Sequence, residues 1–438
     1  MIDQYKLTEF GDIPKEWRLI KLSSILIDAK LGGNYENGEV EVGLPLIKMG
    51  NISRGRIVLN KIEYVPIDLV YSNEYVLKEG DLLLNTRNTA ELVGKVAVWR
   101  NELKTALFNS NLLRMKFDEK QVESNYFMNY VFNSSYGISQ LRSFATGTTS
   151  VAAIYNKDLL KFKVILPPLV EQQKIAEILS TVDKKIELID AQISHTQELK
   201  RGLKQQLLTK GIGHTQFKSS VLGDIPESWN VAELRDLLSD MKSGLSRKLS
   251  MQDIGIPVIR SNNLDAEQVT FDDLKYWYLN DPKGAKTSDY YLKDGDILIS
   301  FINSLAQIGK SAMFFNKINR DIIYTTNILK LTANNTVSNH FIYYCTKTEQ
   351  FKKFVQLITK PAVNQASFTT KDFQRYKIAL PPLIEQEQIA TILNTVDEKM
   401  NVLLVKKAEY WQLKNGLMQQ LLTGKIRVNS YQEASAVA

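Results

Sequence analysis

The sequence contains little of what several chemistries require. Its 438 residues include one cysteine, Cys345, and three scattered histidines. A single cysteine excludes an internal disulfide framework and fits a reducing cytoplasm, and the histidines have no spacing typical of a zinc site. No apolar run approaches a membrane span, and the opening MIDQYKLTEFGDIP has no apolar core of the signal-peptide type. We therefore expect a cytoplasmic protein that is neither secreted nor membrane-inserted.

Catalytic motifs are also missing. The nearest match to a phosphate-binding loop, residues 304–311, begins with Ser304 where a glycine is required, and its copy ends Gly-Lys-Val without a hydroxyl for magnesium. The two Pro-Pro pairs lack the amide and aromatic neighbours found in amino-methyltransferases, and no carboxylate pair stands out as general acid and base. We predict no catalytic residue, no metal site and no cofactor, which favours a binding protein over a self-sufficient enzyme.

The charge balance is compatible with a polyanionic partner. The chain has 55 Lys and Arg against 48 Asp and Glu, a formal net charge of +7. Basic side chains release counterions when they bind phosphates, but many soluble proteins carry a similar charge and bind no nucleic acid. Composition alone leaves both possibilities open.

The chain consists of two copies of one unit. Phe10-Gly-Asp-Ile-Pro-Lys-Glu-Trp17 recurs as Leu222-Gly-Asp-Ile-Pro-Glu-Ser-Trp229, a shift of 212 residues. Leu166-Pro-Pro-Leu-Val-Glu-Gln172 recurs as Leu380-Pro-Pro-Leu-Ile-Glu-Gln386, a shift of 214. Chance matches would not stay in register across half the chain, so the repeats, named here the GDIP motif and the PPL motif, indicate a duplication.

Between these motifs the copies correspond weakly but in order. Short apolar runs separated by Gly, Asn and Asp, such as Pro45–Asn51 and Pro257–Asn263, are typical of strands and turns and predict α/β domains of about 150 residues. By contrast, roughly half of the positions are identical between Leu166–Ile212 and Leu380–Ile426. A common frame that carries two different binding domains would produce this contrast. Slower drift of helices than of loops is the alternative.

Each PPL motif opens a long helical pattern. Pro168 and Pro382 suit the first turn of a helix, and apolar residues follow at alternating spacings of three and four. A helix from Glu171 to about Thr209 would be about 60 Å long and needs a partner for its apolar stripe. We predict that the two helices pack antiparallel within the chain, related by a pseudo-two-fold axis. A coiled coil between two chains is the alternative.

The predicted packing positions of the helix pair lie on this stripe: Leu179, Val182, Ile186, Leu203, Leu207, Leu393, Val396, Met400, Leu417 and Leu421. The stripe as read from the sequence also includes Leu199 and Leu413. Gly202 and Gly416 recur inside the helices at a cost of about 1 kcal/mol each. We interpret them as points where another backbone, of the partner helix or of a bound subunit, comes close.

With these motifs in their repeated order, the chain resembles the specificity subunit of a type I restriction-modification system. The resemblance extends over essentially the whole length. It rests on the GDIP motif, the twice-present Gly-Asp strand at 80–84 and 295–299, and the PPL motif with its downstream Gln-Gln-Leu-Leu-Thr. No single motif is decisive, but their order, repeated twice with long helices, is specific.

The resemblance implies duplicated α/β (α+β) target-recognition domains joined by two long antiparallel coiled-coil helices. The expected boundaries are 1–165 and 213–379 for the domains, 166–212 and 380–426 for the helices, and 427–438 for a tail. Each domain would read one half of a bipartite, asymmetric site in double-stranded DNA, and the helices would set the gap between half-sites. Two modification (methyltransferase) subunits would methylate adenines, and ATP-dependent restriction subunits would join through the complex.

The predicted DNA contacts lie in and beside three pairs of loops: 30–35 with 242–247, 85–88 with 300–303, and 146–150 with 360–365. Amide and guanidinium groups read base edges, and lysines and hydroxyls bind phosphates. For any single position a solvated or turn-forming residue is the alternative, and a protein-binding coiled-coil scaffold is the rival class. The candidate residues are Lys30, Asn34, Tyr35, Arg54, Arg56, Thr86, Arg87, Asn88, Thr148, Thr149, Arg247, Lys248, Asn262, Asn263, Asn303, Lys360, Asn364 and Gln365.

Overall fold

The computed structural model describes residues 4–66, 68–265, 268–362 and 365–428. The chain divides into two compact units, each made of one α/β domain and one section of each long helix. Unit 1 comprises Met1–Ala191 and Val405–Ala438, and unit 2 comprises Gln192–Leu404.

The domain of unit 1 is built from short strands and three short helices. The strands are β1 (Tyr5–Thr8), β2 (Gly11–Pro14), β3 (Arg18–Lys21), β4 (Leu26–Leu31), β5 (Leu44–Ile47), β6 (Glu63–Val65), β7 (Leu82–Asn85), β8 (Arg87–Asn88), β9 (Val96–Val98), β10 (Leu107–Phe108), β11 (Leu112–Phe117), β12 (Thr146–Gly147), β13 (Ala152–Ala153) and β14 (Lys163–Leu166). The helices are α1 (Asn125–Asn133), α2 (Ser135–Phe144) and α3 (Asn156–Leu159).

The main sheet of unit 1 is antiparallel, in the order β4-β11-β7-β9. Strand β7 is buried on both faces: Leu82 and Leu84 enter the larger core beside Trp17, whereas Leu83 enters a second core beside Trp99. This double burial explains why the strand is a continuous apolar run and does not alternate. The smaller sheets are β10-β5-β6, β12-β13-β8, β14-β3 and the hairpin β1-β2.

Unit 2 repeats this topology strand for strand. Its sheets have the orders β18-β25-β21-β23, β20-β19-β24, β22-β27-β26, β17-β28 and β15-β16. The strands are β15 (Phe217–Ser220), β16 (Gly223–Pro226), β17 (Asn230–Glu233), β18 (Leu238–Ser243), β19 (Gly255–Ile259), β20 (Lys275–Tyr278), β21 (Ile297–Ser300), β22 (Ile302–Asn303), β23 (Ser311–Met313), β24 (Ile323–Tyr324), β25 (Ile328–Ala333), β26 (Lys360–Pro361), β27 (Ala366–Ser367) and β28 (Lys377–Leu380). The short helices are α5 (Leu234–Leu237), α6 (Asn339–Cys345), α7 (Glu349–Ile358) and α8 (Thr370–Phe373).

The predicted long helices are confirmed as α4 (Leu169–Lys210) and α9 (Leu383–Leu421). Each begins directly after its Pro-Pro pair, with a glutamate in the first turn where the helix dipole favours a negative charge. Gly211 and Gly424 follow the two helix ends with positive φ angles of 66° and 71°. A left-handed residue at this position closes a helix, and glycine adopts it without strain.

The helix sections pack antiparallel inside each unit. In unit 1, Asp183 of α4 pairs with Lys414 of α9 (2.6 Å), and Asp190 pairs with Lys407 (2.5 Å). In unit 2, Lys200 of α4 pairs with Asp397 of α9 (2.6 Å) at the positions equivalent to Lys414 and Asp183. The predicted duplicated α/β architecture with an antiparallel helix pair within one chain is therefore confirmed, and the two-chain alternative is not needed.

One detail of the helix prediction is wrong, and one of the two alternatives for the repeated glycines is excluded. Leu199 and Leu413 are 51% and 49% exposed. The lysines that follow them, Lys200 and Lys414, point inward instead, because each forms an ion pair with an aspartate on the opposite helix. A Cβ added at Gly202 or Gly416 would meet no atom of the described residues within 4 Å beyond the backbone of its own helix, so the partner helix does not come close there. The other alternative, a bound subunit, stays a prediction.

The ten predicted packing positions are buried or partly buried. Those toward the helix ends belong to the domain cores, and those between them lie buried outside the two large core clusters. The end positions are Leu179, Leu417 and Leu421 in unit 1 and Leu203, Leu207 and Leu393 in unit 2; the others are Val182, Ile186, Val396 and Met400.

Candidate nucleic-acid interface

The GDIP motif and the PPL motif meet in the structure. In unit 1, Trp17 is fully buried, and its Nε1 donates a hydrogen bond to Oε1 of Glu171 (3.4 Å). Arg427 donates from Nε to the other oxygen of Glu171 (3.0 Å) and also pairs with Glu16 (2.9 Å). The hydrogen bond to Glu171 raises the pKa of the Arg427 guanidinium above its ordinary value. The repeated tryptophan and glutamate therefore join each domain to its helix.

Unit 2 has the same contact with a different third partner. Trp229 donates from Nε1 to Oε2 of Glu385 (2.9 Å), and His214 Nε2 lies 2.8 Å from Oε1 of the same carboxylate. The backbone N–H of Ile212 donates to this oxygen as well (3.0 Å). A histidine and a backbone amide thus do in unit 2 what an arginine does in unit 1.

The glutamine of each PPL motif closes the same junction. Gln172 donates to the carbonyl of Pro167 (2.8 Å) and accepts from the backbone N–H of Glu123 (3.0 Å). Gln386 makes the equivalent bonds, to Pro381 (2.9 Å) and from Ser338 (2.9 Å). These buried amides satisfy loop backbone groups that would otherwise lack partners, so the motifs are structural.

A tyrosine, an aspartate and a lysine form a second repeated contact between domain and helices. In unit 1 the Tyr130 hydroxyl donates to Asp183 (2.8 Å), which pairs with Lys414. Burial, and then the nearby Asp183 carboxylate, raises the pKa of Tyr130, which keeps the hydroxyl protonated as a donor. In unit 2, Tyr344 donates to Asp397 (2.8 Å). The lysine comes from the other long helix in each case, so each domain contacts both helices.

On this frame, strand pairing brings the second and third predicted loops of unit 1 together. In the sheet β12-β13-β8, Arg87 pairs with Ala153 and Asn88 with Ala152. Arg87, Thr148 and Thr149 are exposed, and Asn88 is half-buried. The exposed guanidinium and hydroxyl groups form a polar edge suited to base edges and phosphates.

The other candidates of unit 1 are held by the protein itself to different degrees. Asn34 is exposed, whereas Lys30 pairs with Glu74. Tyr35 lies edge-on to Tyr75, with ring centroids 6.2 Å apart. Thr86 is buried and donates to the carbonyl of Asn111 (2.9 Å).

Arg54 and Arg56 lie beside the long helices, in a small depression that Asp183 of α4 and Lys414 of α9 also line. Arg56 Nη1 pairs with Asp190 (3.3 Å). Arg54 has a buried Nη1 with no hydrogen-bond partner among the described residues, and burial, together with the nearby Arg142, lowers its pKa.

In unit 2 the predicted loops converge more closely. Arg247, Asn262 and Asn327 line a depression of about 270 Å³. Asn262 also lines a neighbouring depression of about 300 Å³ together with Asn303 and Lys310. The sheet β22-β27-β26 connects this second depression to the third loop, since Asn303 pairs with Ala366. The two depressions form a polar groove that can accommodate amide and guanidinium contacts to base edges.

Arg247 is oriented by a bidentate ion pair. Its Nε lies 3.1 Å from both carboxylate oxygens of Asp281, which also accepts a hydrogen bond from Trp277 Nε1 (3.2 Å). The hydrogen bond from Arg247 holds the pKa of Asp281 well below its usual range. A planar guanidinium fixed in this way is positioned before any ligand arrives.

Among the remaining candidates of unit 2, one is buried and three are exposed. Asn263 is 2% exposed, and its amide accepts from Arg260 N (3.0 Å) and donates to Asp272 O (2.9 Å), so it serves the turn and not a ligand. Lys248, Lys360 and Gln365 are exposed. Asn364 lies outside the described residues.

Sequence reasoning missed several residues of the groove. Arg260 and Asn327 line its first depression, and Gln307 and Lys310 its second. Lys310 belongs to the rejected phosphate-loop match. Ser311 beside it is 2% exposed and shares a hydrogen bond with Thr346 (2.7 Å between hydroxyl oxygens), which explains why that segment is a strand end and not a nucleotide loop.

Within the described residues, no cluster of His, Cys, Asp and Glu has the geometry of a metal site. None of the helices in that part of the chain combines the length and apolarity needed to cross a membrane.

The chain is thus a duplicated α/β domain with polar loops, fixed to a pair of long helices, and comparison with known proteins identifies the family of proteins with this architecture. The family model described as type I restriction modification DNA specificity domain matches residues 3–198 and 226–409. The chain therefore belongs to the family of type I restriction-modification specificity subunits.

Relatives match over nearly their whole length. The putative type I restriction enzyme MjaX specificity subunit of Methanocaldococcus jannaschii is 30% identical, with 98% of each chain covered. The EcoKI specificity subunit of Escherichia coli is 21% identical over 95% of this chain and 90% of its own. The crystal structure of the type I S subunit from M. genitalium has a TM-score of 0.60 at 15% identity, covering 95% of this chain and 97% of that chain. This last likeness shows the fold alone.

Proposed function

We propose that this chain is the non-catalytic subunit that selects DNA for a type I restriction-modification complex. Unit 1 reads one half of a bipartite, asymmetric site in double-stranded DNA, and unit 2 reads the other. The observation that carries this proposal is one frame built twice with different loops. The Trp–Glu and Tyr–Asp–Lys contacts recur, whereas the exposed loop side chains are Arg87, Thr148 and Thr149 in unit 1 and Lys248, Asn262 and Gln365 in unit 2.

The helices also support docking of two modification subunits, which methylate adenines. Leu199 and Leu413 are about equally exposed at equivalent positions, next to the open glycines Gly202 and Gly416. Other exposed apolar positions recur in the same way: Leu169 with Leu383, Val170 with Ile384, and Leu188 with Val402. Repeated apolar exposure is typical of a protein interface, and two equivalent surfaces fit two copies of one partner. The restriction subunits join through this complex.

We further propose that the helix pair sets the gap between half-sites. The helices have 42 and 39 residues, and at 1.5 Å per residue each is about 60 Å long. Ion pairs between α4 and α9 in each unit fix the register in which the helices pack.

The test is to map methylated adenines in DNA from cells that carry this chain and its modification subunits. We expect one bipartite site. Replacing residues 10–165 with the corresponding domain of another family member should change one half-site only, and a change in both halves would show that the two-reader assignment is wrong.

Helix length is tested in the same assay. Seven residues are inserted into α4 between Asp190 and Lys200 and into α9 between Asp397 and Lys407, which leaves every ion pair in place. We expect unchanged half-site sequences with a gap longer by about three base pairs, since seven residues add about 10 Å. Altered half-sites at unchanged spacing would contradict this role.

A protein-binding scaffold is the competing function. Salt titration of binding to random and site-bearing duplexes separates the two, because a scaffold shows neither a steep salt dependence nor a tight specific site.

A further inference from the structure

Unit 2 contains a cavity with a strong excess of positive charge. The cavity, of about 450 Å³, lies among α4, the α6–α7 junction and the loop that precedes β23. Its charged lining consists of one carboxylate, Asp397, and five lysines: Lys200, Lys204, Lys310, Lys347 and Lys352.

Two of these lysines are ion-paired, Lys200 with Asp397 (2.6 Å) and Lys352 with Glu349 (2.7 Å), and two others are oriented by backbone carbonyls. Lys347 donates to the carbonyl of Ser311 and lies over the Tyr343 ring, and Lys204 donates to the carbonyl of Lys347 (2.7 Å). Among the described residues Lys310 has no ion-pair partner. An anion in the cavity would therefore meet several preset donors.

Unit 1 shows that three of the lysines are not required by the frame. The residues equivalent to Lys204, Lys347 and Lys352 are Met418, Asn133 and Ile138. Asn133 donates to the carbonyl of Val96 (3.1 Å), which is the same contact that Lys347 makes with Ser311. Unit 2 keeps this contact and adds a charge, which indicates a role in binding.

The cavity adjoins the polar groove of unit 2. Lys310 lines both the cavity and the depression that holds Asn262 and Asn303. Lysine binds phosphate as a point charge and reads no base. We propose that this lysine cavity binds the phosphodiester backbone of DNA that continues from the bases read by unit 2. This inference rests on the proposed function.

The test replaces three lysines with the residues of unit 1, as Lys204→Met, Lys347→Asn and Lys352→Ile, in the full chain. Binding of a random and a site-bearing duplex is measured from 50 to 200 mM salt. Each lost phosphate contact makes the slope of log K against log salt less steep by about 0.9, so three lost contacts change it by about 2.7. The ratio of the binding constant of the unaltered chain to that of the variant should therefore fall about 40-fold between 50 and 200 mM salt. Affinity should fall equally for both duplexes, because phosphate contacts carry no sequence information.

The matched control removes the same charge from exposed lysines of unit 1, as Lys104→Met, Lys120→Asn and Lys157→Ile. Its salt slope should stay close to that of the unaltered chain. If the first variant unfolds, Lys→Gln at the same three positions provides the measurement.

The outcomes separate the two proposals. If the unaltered chain binds its site specifically and the cavity variant keeps its affinity and slope, the cavity proposal is wrong. If the variant binds DNA normally but loses its modification subunits, the cavity holds an acidic protein surface, which also overturns the proposal. If the unaltered chain itself shows no salt-dependent, site-specific binding, the proposed function is the one that fails.

Discussion

Unit 1 and unit 2 hold their domains with the same contacts but fill the space beside the helix tails differently. In unit 1 this space is filled by the chain, with Phe10 and Tyr136 packed at 5.3 Å between ring centroids. In unit 2 a cavity of about 390 Å³ remains, lined in part by Leu222, Gln350 and Lys204. These three residues replace Phe10, Tyr136 and Met418 of unit 1.

The comparison teaches which residues the duplication could change. The Trp–Glu and Tyr–Asp contacts join domain to helix and recur in both units. The residues around them determine packing, charge and surface, and these have diverged. A repeated motif in this protein therefore marks a structural joint, and ligand contacts are to be sought where the copies differ.

The largest effect is expected from removing the joint itself. Trp17→Ala and Trp229→Ala each empty a fully buried site, and each should destabilise its own unit by about 3–5 kcal/mol. Amide hydrogen exchange, followed separately in the two units, measures the loss. Leu7→Ala, at a position 83% exposed, is the control and should change little. A large loss from one tryptophan alone would break the equivalence of the units.

The second largest loss of stability is expected from breaking the ion pairs between the helices, and it should differ between the two units. Asp183→Asn keeps an acceptor for Tyr130 but leaves Lys414, whose side chain is 8% exposed, without its counter-charge, at a cost of about 3 kcal/mol. Asp397→Asn should cost less, because Lys200 is 16% exposed. Chemical unfolding gives both values. Adding Lys414→Met to the first variant should recover most of the loss, and failure to do so would point to a packing defect.

Filling the unit 2 cavity should have a smaller, stabilising effect. Leu222→Phe combined with Gln350→Tyr copies the aromatic pair of unit 1 and should stabilise unit 2 by about 1 kcal/mol. The reverse exchange in unit 1 should be destabilising. Thermal unfolding of both variants is the measurement. If both variants were stabilised or both destabilised, the two spaces would not be equivalent.

The smallest effect is expected at the open glycines. Gly202→Ala and Gly416→Ala place a methyl group in open space and should stabilise their helices by at most about 1 kcal/mol each. Unfolding measurements on the isolated chain test this. If the same variants weaken association with the modification subunit, the glycines lie on the docking surface. If one variant weakens association more than the other, the two equivalent surfaces differ in how they bind this subunit.

The long helices, the duplication and the domain type could be predicted from the sequence because each depends on local patterns. Periodicity places α4 and α9, and a constant shift between motifs reveals the repeat. The inward position of Lys200 and Lys414 could not be predicted, because it depends on aspartates about 200 residues away. Periodicity assigned that position to Leu199 and Leu413, which are more apolar but lack a partner on the other helix.

The candidate site was less predictable for a similar reason. Asn262 and Asn263 are adjacent and chemically identical, yet one is exposed in the groove and the other is buried in the turn that presents it. Which asparagine is which depends on the three-residue turn 261–263, and its geometry comes from neighbouring strands. In the sequence, Lys310 stands out only as part of residues 304–311, a phosphate-loop match that lacks the leading glycine.

The discontinuity of unit 1 has a consequence for synthesis of the chain. Unit 2 is one continuous stretch, so it can fold as soon as its last residues leave the ribosome. The larger core of unit 1 includes Met418, Leu421 and Leu422, and Tyr5 donates to the carbonyl of Gly424 (3.3 Å). The first domain to be made must therefore wait, with part of its apolar surface uncovered, until residues 192–404 have been translated. Unit 1 is begun first and completed last, which makes it the part of the nascent protein with the greatest need of a chaperone.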